Sequence, residues 1–172
     1  MTDLLKMGRT GTTGAAAALI TFWALLGGVL LLLVVLMNVV SVVGAVVWRP
    51  FPGDFEMTEV GIAVAAFSFL PYCQLTDANV TADIFTARAS ARTVAFLKLV
   101  ASVVAFFFAL LLVWRMYYGM LDQRDYGYTT AILQFPTWIA FVPILISLAL
   151  LAVAALITFL ETGRQVATGA SE

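Results

Sequence analysis

Four long apolar runs, at 15–48, 57–75, 93–118 and 135–160, fill this chain and leave almost nothing soluble between them. About 20 successive apolar residues cross the ~30 Å hydrocarbon core of a bilayer. Four such runs within 172 residues leave no space for a separate soluble domain. The sequence therefore predicts a single all-α, integral membrane domain over 1–172: a four-helix bundle of long transmembrane helices. The first run is long enough for ~50 Å of helix at 1.5 Å per residue. That exceeds the bilayer core, so it has to tilt or to extend along the interface.

Composition removes several classes of function. Charged residues make up only 11% of the chain and hydrophobic ones 63%, far outside the soluble globular range. The net charge of −1 gives no electrostatic footprint for nucleic acid. There is no histidine, which excludes a bis-histidine haem anchor, a histidine-ligated copper or zinc site and a histidine proton relay. The single cysteine, Cys73, can form neither an internal disulfide nor a dithiol relay. The first 14 residues are polar and carry Lys6 and Arg9; the apolar run that follows reaches Trp48 without a clear cleavage site, so it reads as a retained helix.

The loops carry most of the polar chemistry. Asn38 and Ser41 are among the few polar residues inside the first run, suited to backbone or interhelical hydrogen bonds. Arg49-Pro50-Phe51-Pro52-Gly53 ends that run. Asp54 is then the expected N-cap of the second helix, with Glu56 and Glu59 in its first turns. These carboxylates complement the positive end of the helix dipole, or form an acidic docking patch at the membrane surface. Pro71 is expected to kink or end that helix.

The segment 77–92 is the most polar in the chain. It holds Asp83, Arg88 and Arg92 and reads as a short interfacial helix or loop. Arg88 and Arg92 share a helical face and suit lipid phosphates or a partner. In the third run Ala101, Ala105 and Ala109 form a small-residue ladder, and Gly61 and Ala65 offer the same on the second, as candidate helix-packing positions. Trp114, Tyr117 and Tyr118 mark the exit of the third helix as an aromatic belt. A short polar loop over 122–128 follows, and its Arg124 joins the candidate docking residues. Pro136 falls at the expected start of the fourth helix, and Pro143 is a potential kink.

Four spans place both termini on one side. That side, with the middle loop, holds Lys6, Arg9, Arg88, Arg92, Lys98 and Arg164; the other holds Arg49, Arg115 and Arg124. The bias predicts cytoplasmic termini. The centres of the predicted helices carry no Asp, Glu, Lys or Arg, no Ser/His or Cys/His pair exists, and neither a phosphate loop nor an inverted repeat is visible. The chain reads as a scaffold or accessory subunit that needs no cofactor, and neither as an enzyme nor as a self-sufficient pump. The alternatives are a stand-alone four-helix transporter and a membrane anchor subunit of another complex.

Three stretches carry a resemblance: Gly53-Asp54-Phe55-Glu56-Met57-Thr58-Glu59, Leu70-Pro71-Tyr72-Cys73-Gln74 and Asn79-Val80-Thr81-Ala82-Asp83-Ile84-Phe85. Trp114-Arg115, Asp122-x-Arg124, Gly127-x-Thr129 and Phe135-Pro136-x-Trp138 follow in the same order. Together, over about 30–161, the chain resembles the small membrane subunit of tripartite ATP-independent periplasmic (TRAP) transporters, the DctQ-like family. It departs from the pattern at Asn79, where histidine is usual, and at Ala82, where valine is usual. The resemblance implies an inner-membrane subunit that packs against a large elevator-type permease subunit. It also implies a periplasmic binding protein as partner and uptake of a small organic acid driven by an ion gradient.

Overall fold

The computed structural model describes residues 12–76 and 91–168. It contains four helices: α1 (Thr12–Val47), α2 (Asp54–Leu75), α3 (Ala91–Asp125) and α4 (Trp138–Thr168). All four are long and apolar enough to cross a membrane. They alternate in direction. The end of α1 meets the start of α2 through Ser41 and Asp54, and the end of α3 meets the start of α4 through Gln123 and Thr137. We call this the hairpin end, after the connection between α3 and α4.

Helix α4 is the common neighbour. Both α2 and α3 pack along it, α2 also carries α1, and α1 meets α4 more briefly. One apolar cluster joins Ile20 of α1, Leu75 of α2 and Ala154 and Ile157 of α4 at the end away from the hairpin. A second, nearer the hairpin, joins Val64 of α2 to Ile144 and Leu148 of α4, with Leu112, Val113 and Met116 of α3 packed against it. Little of α1 or α3 is covered by the rest of the chain: Leu32, Leu36, Val40, Val43, Phe107 and Leu111 are all exposed. On a membrane helix such a surface faces lipid or another subunit, since lipid tails solvate it as well as a protein core does.

Small residues set the α1–α2 contact. A Cβ on Gly27 would fall 2.6 Å from Ser68 Cβ, and one on Gly61 would collide with Val34. Ala65 lies between them, 1% exposed. The ladder of α3 divides differently. Ala109 is fully buried, Ala105 half-buried and Ala101 exposed. Each four-residue step turns ~40° past a full helical turn, so the ladder drifts off the buried face, which instead follows Ser102 and Ala109 seven residues apart.

Several boundaries differ from the sequence expectation. α2 begins at Asp54 itself and its N-cap is Gly53, in the left-handed region at φ 75, with no side-chain cap. Asp54 is not the cap because its carboxylate is engaged elsewhere: Oδ2 accepts the Ser41 hydroxyl and Oδ1 the Phe55 N–H at 2.8 Å. α2 also continues through the buried Pro71 to Leu75, where the Thr76 N–H and hydroxyl close on the Tyr72 carbonyl. α3 runs to Asp125, so Trp114, Tyr117 and Tyr118 lie within the helix and not at its exit. α4 starts at Trp138, after Pro136, which forms an isolated antiparallel bridge with Thr129.

Candidate docking surface

The start of α2 is a hub from which successive residues reach different elements. Asp54 holds α1 through Ser41, whose Oγ also accepts the Phe51 N–H at 3.2 Å and so fixes the first loop. Thr58 receives the Asn38 amide at 2.7 Å and donates to the Asp54 carbonyl at 2.6 Å. Asn38 also donates to the Val34 carbonyl at 2.9 Å, so both amide protons are used. Glu56 points the other way. Its Oε1 accepts the Ile132 N–H at 2.7 Å and its Oε2 the Leu133 N–H at 3.1 Å. The carboxylate thus clasps two consecutive backbone amides at the tip of the α3–α4 connection.

That connection is built like a small hairpin. Thr130 N–H donates to the Phe135 carbonyl at 2.9 Å and Thr137 N–H to the Tyr128 carbonyl at 3.1 Å. Gly127 and Gln134 sit in the left-handed region, at φ 63 and φ 54. The Gln134 amide caps the tip by donating to the Ala131 carbonyl at 3.0 Å. At the base, Thr137 donates to Gln123 Oε1 at 2.6 Å. Arg124 stands over the Trp138 ring, 5.8 Å from its centroid, a contact worth ~0.5–1 kcal/mol at an exposed site. The tip also seats on α2: a Cβ on Gly53 would lie 2.5 Å from Leu133 Cγ. Glycine at 53 thus meets two demands at once, a positive φ and a close approach.

Of the three carboxylates on α2, two are therefore used inside the chain. Glu59 is exposed and has no hydrogen-bond or ionic partner among the described residues. Asp83 and Arg88, and the side chain of Arg92, lie outside the described residues, as does all but the last two residues of the expected interfacial helix or loop over 77–92.

Midway down the bundle is a polar knot that sequence reasoning did not assemble. Trp23 Nε1 of α1 donates to Ser147 Oγ of α4 at 2.9 Å, and Ser147 donates to the Pro143 carbonyl at 2.8 Å. Ser68 of α2 stands 3.5 Å from Ser147 and donates to the Val64 carbonyl at 2.8 Å. Trp23 was missed because its ring lies in an unbroken apolar run. The available signal was a tryptophan in mid-helix, far from the interfaces where such rings gather. No buried side-chain nitrogen or oxygen among the described residues lacks a partner.

A family model for tripartite ATP-independent periplasmic transporters, DctQ component, matches residues 32–165. The chain belongs to the DctQ family. It is thus the small membrane component of a TRAP transporter, a multi-pass transporter component and not an enzyme. No curated protein and no solved structure matched the chain. The match spans α1 from Leu32 onward, all of α2 and α3, and nearly all of α4. The hub on α2 and the α3–α4 hairpin therefore both fall within the DctQ region.

Proposed function

We propose that this DctQ chain braces a large, elevator-type permease subunit in the ion-gradient-driven uptake of a small organic acid delivered by a periplasmic binding protein. One observation carries the reading: the polar groups at the centre of the bundle are spent on one another. Trp23, Ser68 and Ser147 close their bonds within the α1–α2–α4 junction, which leaves a rigid seam where a transporter would need a polar path. Polar groups that conduct a solute face a water-filled route. The broad apolar faces of α1 and α3 supply surface for a large partner. With both termini cytoplasmic, as the Lys/Arg bias favours, the α2 hub and the α3–α4 hairpin face the periplasm, where the binding protein arrives.

Reconstitution into liposomes tests this directly. Uptake is expected only when this chain, the large subunit and the binding protein are all present. Ion-driven uptake by this chain alone would instead make it a stand-alone transporter. A stable complex with some other membrane protein, and none with the permease, would make it an anchor subunit of a different assembly.

A further inference from the structure

A single line of exposed residues runs along α3 toward the hairpin end: Val104, Phe108, Leu111, Arg115, Tyr118 and Asp122. At ~100° of rotation per residue, all six fall within ~40° of one line parallel to the helix axis. Ser102 and Ala109, which are buried, lie on the opposite side of the helix. Read toward the hairpin, the line is apolar, then cationic, then phenolic, then anionic.

The sequence of α3 sets the depth of these charges. The stretch 99–114, between Lys98 and Arg115, holds no charged residue and runs ~24 Å at 1.5 Å per residue. That falls short of the ~30 Å hydrocarbon core, and a short span of this kind draws its flanking cations out to the headgroups. From Arg115 back to Val104 is ~16 Å along the axis, about the depth of one leaflet. The Arg115 side chain is exposed and has no hydrogen-bond or ionic partner among the described residues. Asp122 follows ~10 Å nearer the hairpin, exposed, and its carboxylate has no such partner among them either. Arg124 is turned instead to the Trp138 ring. Tyr118 stands between the two charges, braced edge-to-face by Trp114 with 5.5 Å between ring centroids.

This order of groups selects the occupant. A phospholipid presents acyl chain, phosphate and then headgroup as it leaves the bilayer. A guanidinium takes the phosphate by two parallel hydrogen bonds, and a carboxylate beyond it attracts a headgroup ammonium and disfavours an anionic or uncharged headgroup. A second copy does not fit. Two copies related by a two-fold axis along the membrane normal meet at equal heights, which sets Arg115 against Arg115 and Asp122 against Asp122.

We infer that this line of α3 binds a phospholipid of the hairpin-end leaflet, with its acyl chain along Val104, Phe108 and Leu111, its phosphate on Arg115 and a headgroup ammonium on Asp122, as phosphatidylethanolamine provides. Phe107 and Leu110, also exposed, lie to one side of the line, so a lipid here leaves part of α3 open to a large partner.

The test reconstitutes the full chain in vesicles of equimolar phosphatidylethanolamine and phosphatidylglycerol and reads the lipids it retains by native mass spectrometry. The wild-type chain should retain the ethanolamine lipid in preference. Arg115→Gln should lower retention of both lipids ~fivefold, and Arg115→Lys should lower it less. Asp122→Asn should keep the lipid and lose the preference, and it tests the reading even where the arginine variant does not insert. Equal or greater retention of phosphatidylglycerol by the wild-type chain overturns the inference, as does a preference that survives Asp122→Asn. A photo-crosslinking amino acid at Leu111, in the chain co-expressed with the permease, separates lipid from protein. Lipid adducts support the site, and adducts to the permease alone overturn it.

Discussion

Glu56 shows how much a single side chain can organise when its partners are backbone. Its two oxygens each take one amide of the hairpin tip, so the carboxylate replaces bonds that an irregular turn cannot make for itself. Glu56→Gln keeps one acceptor, and Glu56→Ala keeps none. Hydrogen exchange at Ile132 and Leu133 should therefore rise several-fold in the glutamine variant and further in the alanine variant, with the helical amides of α2 unchanged. Equal exchange in all three proteins would mean that the tip holds its shape without the clasp. Nothing local announces this role. Glu56 reads as an ordinary first-turn carboxylate, because its acceptor geometry is fixed by amides 76 and 77 residues further along the chain. Asp54 was misread for a related reason: a first-turn aspartate suggests a cap, but Ser41 from α1 draws its carboxylate away.

At the scale of elements, the existence and order of the helices were legible, since hydrophobic length alone decides them. Their ends were not. The apolar count stops at Tyr118, yet α3 continues to Asp125. Met120 and Leu121 stay partly covered, and Gln123 is tied to Thr137. Close packing at Gly27 and Gly61 holds α1 to α2 together with the Ser41–Asp54 and Asn38–Thr58 bonds, and the Trp23–Ser147 bond ties α1 to α4. This ranks two kinds of substitution. Ser147→Ala removes the acceptor of Trp23, and interhelical hydrogen bonds in membranes are worth ~0.6 kcal/mol on average and up to ~1.7. Gly27→Leu forces a side chain into Ser68, where even a Cβ has no space, and overpacking costs ~1–3 kcal/mol or more. Thermal unfolding in detergent should place Gly27→Leu clearly below Ser147→Ala. The reverse order would mean that the polar knot, and not the small-residue seam, holds these helices together.

For the molecule as a whole, the Lys/Arg bias predicts cytoplasmic termini. Reporter fusions after Ala87 and after Glu172 should both be active only with a cytoplasmic reporter. A periplasmic signal from either would place the hairpin end in the cytoplasm and remove it from the path of a binding protein. The long-range bonds also imply an order of biogenesis. Ser41–Asp54 and Asn38–Thr58 join residues 13 and 20 apart, so α1 and α2 can lock together as soon as both have left the ribosome. Trp23–Ser147 spans 124 residues, and Glu56 must wait for the hairpin. A nascent chain halted after α2 would therefore be a paired but unfinished helical hairpin, with the Trp23 indole N–H still without its Ser147 acceptor. That group would distinguish an immature chain from a complete one for any membrane chaperone or protease that senses stray polarity in the bilayer.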